Sequence, residues 1–117
     1  MHDSVLSMLS IAAKSGNVVS GEFSTEKAVK TGHAYLVIVS VEASGNTKKS
    51  FCNMTDFYHV PCYCYGSKEA LGRCIGKEFR ASLAVTDENL ARAVEKKLKE
   101  HLSLIHISEP TRPLYIS

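Results

Sequence analysis

The run Tyr35–Val41, YLVIVSV, constrains this chain more than any other stretch. It is continuous in apolar and β-branched residues rather than alternating. A strand with one wet face alternates in polarity, whereas an unbroken run predicts a central strand covered on both faces. Helices must then lie above and below the sheet, which makes three layers. A chain of 117 residues that is 44% hydrophobic can bury such a core as one domain.

The flanking segments agree with that frame. Residues 3–15 predict an amphipathic helix, with Val5, Leu6, Leu9, Ala12 and Ala13 on one face. Asp3 or Ser4 can cap it, and Gly16 lies just past its end. Val18–Val19 reads as strand. Turn residues at 42–46 precede a helix to about Asn53, with Phe51, Cys52 and Met54 as its expected buried side. Val60–Tyr65 predicts a strand, opened by a tolerated proline at 61. Ser67 caps a short helix through Cys74 that carries Ala70, Leu71 and Ile75, and Gly76 closes it. Lys77–Arg80 is a charged loop, and Ala81–Val85 is a strand. A last helix, capped at Thr86 or Asp87, has Leu90, Val94, Leu98 and Leu102 on its inner edge. About four strands and five helices alternate.

Between the first strand and Tyr35 lies the segment with most chemical content, VVSGEFSTEKAVKTGHA. Ser20-Gly21 breaks the strand. Ser24 or Thr25 is the expected helix cap, with Phe23 stapled onto Ala28, and Gly32 ends the helix in a left-handed conformation. A strand, a glycine turn and a helix start present free backbone N–H groups and the positive end of the helix dipole, which stabilise anions such as RNA phosphates. Lys27 and Lys30 add cations one turn apart.

Other chemistries find little support. The net charge of +2 permits a local basic patch but does not demand nucleic acid. No apolar run is long enough to span a membrane, and a signal pattern is lacking, so a cytoplasmic setting is expected. The four cysteines read as reduced thiols. Cys62 and Cys64 are one residue apart, closer than zinc pairs favour, and a strand covered on both faces predicts a structural core role for them. His2, His33, His59, His101 and His106 show no ligand spacing. Asp56 and His59 lack an accompanying nucleophile motif, and there is no phosphate-loop or dinucleotide fingerprint. The expectation is a non-catalytic protein with no metal, cofactor or small-molecule substrate.

The runs SGEFSTEKAVKTGHAYLVIVSVEASGNTKKSF and GSKEALGRCIGKEFRASLAVTDENLARAV resemble the bacterial YlxQ-like proteins, a branch of the ribosomal kink-turn RNA-binding superfamily. The resemblance covers residues 4–98. It implies a three-layer α/β/α sandwich with a mixed four-stranded sheet. It also implies an RNA-binding face made of the turn and helix start at 21–27 and the loop at 76–80. That face carries Gly21, Glu22, Phe23, Ser24, Lys27, Lys30, Gly76 and Lys77. In the family the turn reads Gly-x-Asn-Glu-x-x-Lys. Aligned on the following Lys-Ala-Val, Gly21 and Lys27 match, while Phe23 holds the asparagine position and Ser24 the glutamate position. The amide and carboxylate read base edges in kink-turn RNA, and phenylalanine can stack on a base but cannot replace a bidentate amide. RNA binding with altered specificity is expected, to ribosomal or another structured RNA. The alternative is a protein-interaction module of the same superfamily, for which an exposed Phe23 would also serve.

The domain is expected to span 1–102. The remainder, SLIHISEPTRPLYIS at 103–117, has two prolines and neither helix period nor strand alternation. It resembles a translated sequencing-adapter read-through and is expected to be non-native or disordered; the alternative is a partner-binding tail.

Overall fold

The computed structural model describes residues 4–105. In chain order the elements are α1 (Ser4–Lys14), β1 (Val18–Ser20), α2 (Glu22–Lys30), β2 (Leu36–Val39), α3 (Gly45–Phe57), β3 (Cys62–Cys64), α4 (Lys68–Cys74), β4 (Ser82–Val85) and α5 (Glu88–Ile105). The strands form one mixed sheet in the order β1-β4-β2-β3. β4 pairs antiparallel with β1 and β2, and β2 pairs parallel with β3.

The central run behaves as its composition requires. All four residues of β2 are fully buried, and adjacent residues serve opposite faces. Leu36 and Ile38, with Leu83 and Val85 of β4, pack against Val5 and Leu9 of α1, Leu71 of α4, and Val94 and Leu98 of α5. Val37 and Val39, with Ala84, pack against Ala28 and Val29 of α2 and Phe51 of α3. The result is the three-layer α/β/α sandwich, with α1, α4 and α5 on one side and α2 and α3 on the other.

Several local expectations are corrected. α2 starts at Glu22, so neither Ser24 nor Thr25 caps it; the cap position is Gly21, with no side-chain hydrogen bond. Phe23 stands out at 77% exposure and makes no staple onto Ala28. α3 runs four residues past Asn53, because Phe51 and Thr55, at i and i+4, extend its buried stripe. It closes on His59 at φ 59°, where the Val60 amide donates back to the Thr55 carbonyl at 2.8 Å. Cys52 lies off that stripe and is exposed. β3 is an edge strand rather than an interior one, so Cys62 is only half-buried and Cys64 is exposed. Ser103–Ile105 continue α5. The rest of the expected tail, the Asp3 cap and the Leu102 side chain lie outside the described residues.

The β3 edge is tied to α5 by Tyr63, whose hydroxyl donates to Glu95 Oε2 at 2.9 Å. Burial, and next the hydrogen bond and charge of Glu95, raise the phenol pKa above its ordinary value. The fold therefore favours the protonated phenol. Its contribution is full below the unfolded tyrosine pKa of about 10 and is lost as pH climbs beyond it. Tyr63→Phe is expected to lower stability by about 1 kcal/mol at neutral pH. The deficit should shrink as pH rises above about 10. Urea unfolding of both proteins at neutral and alkaline pH checks this; a deficit independent of pH would show that the phenol proton carries none of it.

Candidate nucleic-acid interface

The strand directions bring several loops to one end of the sheet. β1 and β2 finish there and β4 begins there, because Ser20 and Ile38 both sit across from Leu83. β3, parallel to β2, finishes there too. The β1–α2 turn, the segment after β2, the start of α4 and the α4–β4 loop therefore crowd together.

Hydrogen bonds fasten these segments into one surface. Glu42 Oε1 accepts the Lys68 amide at 2.9 Å. The Lys68 carbonyl accepts the Arg80 amide at 3.1 Å. Arg80 Nε donates to Ser20 Oγ at 3.1 Å, directly before the glycine turn. The Gly21 amide donates to the Ser82 carbonyl at 3.0 Å, which carries the β1–β4 ladder one residue past the strand. The loop itself is pinned by Lys77, whose amide donates to the Gly72 carbonyl at 2.8 Å. Such cross-ties hold the exposed backbone of these segments in place.

The turn is abrupt for a stated reason. Gly21 sits at φ 91°, a region closed to most side chains, and so strand becomes helix within one residue. No side chain caps the α2 N-terminus with a hydrogen bond, and Glu22, Phe23 and Ser24 are exposed there, which leaves its first amides and the positive dipole end open to an anion. Glu22 stands in the first turn, where it favours the helix start but opposes an incoming phosphate. Ser24 is exposed beside Phe23. Beneath them, Thr25 Oγ1 and Ser82 Oγ are buried with no hydrogen-bond partner among the described residues.

Most of the expected site residues converge on this end, with one exception. Gly21, Glu22, Phe23 and Ser24 form the turn, and Gly76 and Lys77 are exposed on the neighbouring loop. Lys27 is exposed on α2, and its Cα–Cβ bond tilts back towards the helix start. Lys30 belongs to the last turn instead. Its ammonium is 2.6 Å from Glu26 Oε2, and that contact raises its pKa. It lies about 12 Å along the axis from Glu22, by helical rise, and is not part of the same cluster.

Two neighbours escaped the sequence reading as individual residues. Phe79 is 63% exposed on the pinned loop. Arg80 joins the two segments, with Nη1 donating to the Phe79 carbonyl at 2.8 Å. A Phe-Arg pair in a charged loop was the available signal. At the opposite end of the sheet, Tyr35, Tyr58, His59, Arg92 and Glu95 line a cavity of about 400 Å³. Among the described residues no group of three or more His, Cys, Asp or Glu is placed to hold a metal ion, and no helix is long and apolar enough to cross a membrane.

Known proteins share this architecture. The chain is 39% identical over 84 residues to the RNA-binding protein YlxQ of Bacillus subtilis (strain 168), a match that covers 72% of this chain and 84% of that protein. It is 33% identical over 91 residues to the large ribosomal subunit protein eL30 of Sulfolobus acidocaldarius, covering 74% of this chain and 88% of the relative. A solved structure of a protein with unknown function from Bacillus halodurans C matches with a TM-score of 0.81 at 33% identity, over 84% of this chain and 99% of that one. Residues 3–102 match the ribosomal protein L7Ae/L30e/S12e/Gadd45 family, and the chain belongs to it.

Proposed function

We propose that the protein is a non-catalytic RNA-binding protein that holds structured RNA, ribosomal or otherwise, in the bacterial cytoplasm. The uncapped N-terminus of α2, set beside a pinned basic loop, carries the reading. Phosphate oxygens meet the first amides of α2 and its dipole, with Lys27, Lys77 and Arg80 as cations around them. Phe23 offers an apolar ring to an unpaired base. The absence of the family's Asn-Glu pair at Phe23 and Ser24 removes base-edge contacts, each worth about 1–3 kcal/mol of discrimination. Kink-turn preference should accordingly be weak.

The test is a titration of the full chain against a kink-turn RNA and a plain duplex of equal length at two salt concentrations. Both should bind, with little preference. Affinity should fall steeply with salt, at a logarithmic slope of roughly 2–3 for the cations named. Absence of binding to either RNA at low salt would overturn the proposal. The exposure of Phe23 and Phe79 then favours a protein partner on the same face.

A further inference from the structure

RNA binding at the glycine turn leaves the cavity at the far end of the sheet without a role. It opens between the loops that lead into β2 and β3 and the first turns of α5. Its volume of about 400 Å³ is that of a small-molecule site. Aromatic rings line the loop side. Tyr35 is 43% and Tyr58 39% exposed, and Phe57 braces Tyr58 edge-on, with ring centroids 5.0 Å apart. His59 lines the cavity too, at φ 59°, a conformation that glycine adopts more easily, so the chain accepts backbone strain at this rim. The α5 side carries both signs of charge. Arg92 and Glu95 are three apart and so neighbours on one helix face. Arg92 Nη2 donates to Glu88 Oε2 at 2.8 Å, which engages one of its five N–H donors and orients the rest. Glu95 is held by Tyr63 at 2.9 Å and lies 3.8 Å from Lys99, both through Oε2, which leaves Oε1 as an acceptor among the described residues.

That mixture selects the ligand. A bare anion in the cavity meets Glu88 and Glu95, and a bare cation meets Arg92. A neutral planar ring with donors on one edge and acceptors on the next satisfies both. Guanine is such a ring: N1–H and the 2-amino group donate, and the adjoining O6 and N7 accept, the pair that arginine reads in two bonds. Adenine offers the carboxylate one donor group and the arginine one acceptor. The charge pattern also continues past the base. A second hollow along α5, of about 420 Å³, shares Arg92 and Glu95 with the first and adds Lys96 and Lys99, one turn apart. Glu100 lines it as well, and is offset by Lys97 at 4.0 Å.

We propose that the cavity binds a guanine nucleotide, with the base stacked between the Tyr35 and Tyr58 rings and its edge read by Arg92 and Glu95. The Arg92 guanidinium donates to O6 and N7, and Glu95 Oε1 accepts from N1–H or the 2-amino group. The phosphate reaches Lys96 and Lys99. The same base chemistry is offered by a free mononucleotide and by an unpaired guanosine of a bound RNA.

Calorimetric titration of the full chain with guanosine monophosphate is the test, with adenosine monophosphate and inorganic phosphate as comparison probes. The guanine nucleotide should bind with a Kd of roughly 10–100 µM. It should bind about tenfold tighter than the adenine nucleotide, and excess inorganic phosphate should not displace it. Arg92→Gln, at a side chain 74% exposed, leaves the core untouched and should weaken guanine binding about tenfold. Tyr58→Phe keeps the ring and should bind as the parent does, whereas Tyr58→Ala should lose about tenfold. Equal affinity for the two nucleotides, full displacement by phosphate, an Arg92→Gln protein that binds guanine as before, or no binding at millimolar nucleotide would each overturn the proposal. Two hairpin RNAs, alike except for one unpaired guanosine or adenosine, identify the source. Displacement of the nucleotide by the guanosine hairpin alone assigns the cavity to an RNA base, and displacement by neither assigns it to the free nucleotide. The cavity shares no residue with the turn at 21–27 or the loop at 76–80, so either reading can fail without the other.

Discussion

Gly72→Ala is expected to destabilise the protein by about 2–4 kcal/mol, a fall in melting temperature on the order of 10–20 °C. Gly72 is fully enclosed on α4, and a Cβ built there would lie 1.5 Å from the Glu78 carbonyl oxygen and 2.4 Å from its carbon. Those are backbone atoms and cannot rotate aside as a side chain would. The Gly72 carbonyl also accepts the Lys77 amide, so the residue both makes room for the loop and anchors it. Relief requires the 76–80 loop to lift away from α4. That movement would strain the Arg80–Ser20 hydrogen bond and separate the loop from the α2 start. RNA affinity should therefore fall together with stability. Gly76→Ala is the control. Gly76 has φ 77° but open space around its Cβ position, so the cost should stay near 1–2 kcal/mol of backbone strain. Thermal unfolding of the two variants separates the cases. Equal, small losses would mean that the loop is not pressed against α4 at all.

The limits of the sequence reading have local physical causes. The unbroken β2 run and the helical spacing of Val5, Leu9, Val94 and Leu98 carried the sandwich, because burial on both sides of a strand leaves a compositional mark. Edge position leaves none: β3 has the same local character whether one or two strands flank it, and so Cys62 and Cys64 looked interior. Ser24 and Thr25 are good caps by type and so predict a later start for α2 than the structure has. A glycine at φ 91° makes such a cap unnecessary and shifts the helix start by three residues. For Cys52 the difficulty was rotational, since one residue past Phe51 is a turn of 100° away from the core. At the candidate interface, the resemblance to the family's turn pattern singles out Gly21 and Lys27, which stand at the cap position and on the exposed side of α2. The tie from Arg80 to Ser20 spans 60 residues, and no local pattern announces it.

Restoring the family's turn should change what the protein recognises. The double substitution Phe23→Asn and Ser24→Glu is expected to raise preference for a kink-turn RNA over a duplex by tenfold or more, since each base-edge contact is worth about 1–3 kcal/mol. The fold should tolerate it. Both residues are exposed, Phe23 at 77%, and neither side chain caps the helix. A glutamate in the first turn of α2 interacts favourably with the dipole, by about 0.3–1 kcal/mol. The same carboxylate repels phosphate, so duplex binding should weaken while kink-turn binding strengthens, and the two curves should move in opposite directions. Loss of the Phe23 ring should meanwhile reduce binding to RNA with unpaired bases, as stacking contributes about 1–3 kcal/mol per base. Phe23→Ala alone isolates that part. If the double variant folds normally and its RNA preferences match those of the parent, the turn at 21–24 does not touch bases. RNA contact would then have to run through the phosphate-binding groups alone, Lys27, Lys77 and Arg80, whose removal should flatten the salt dependence.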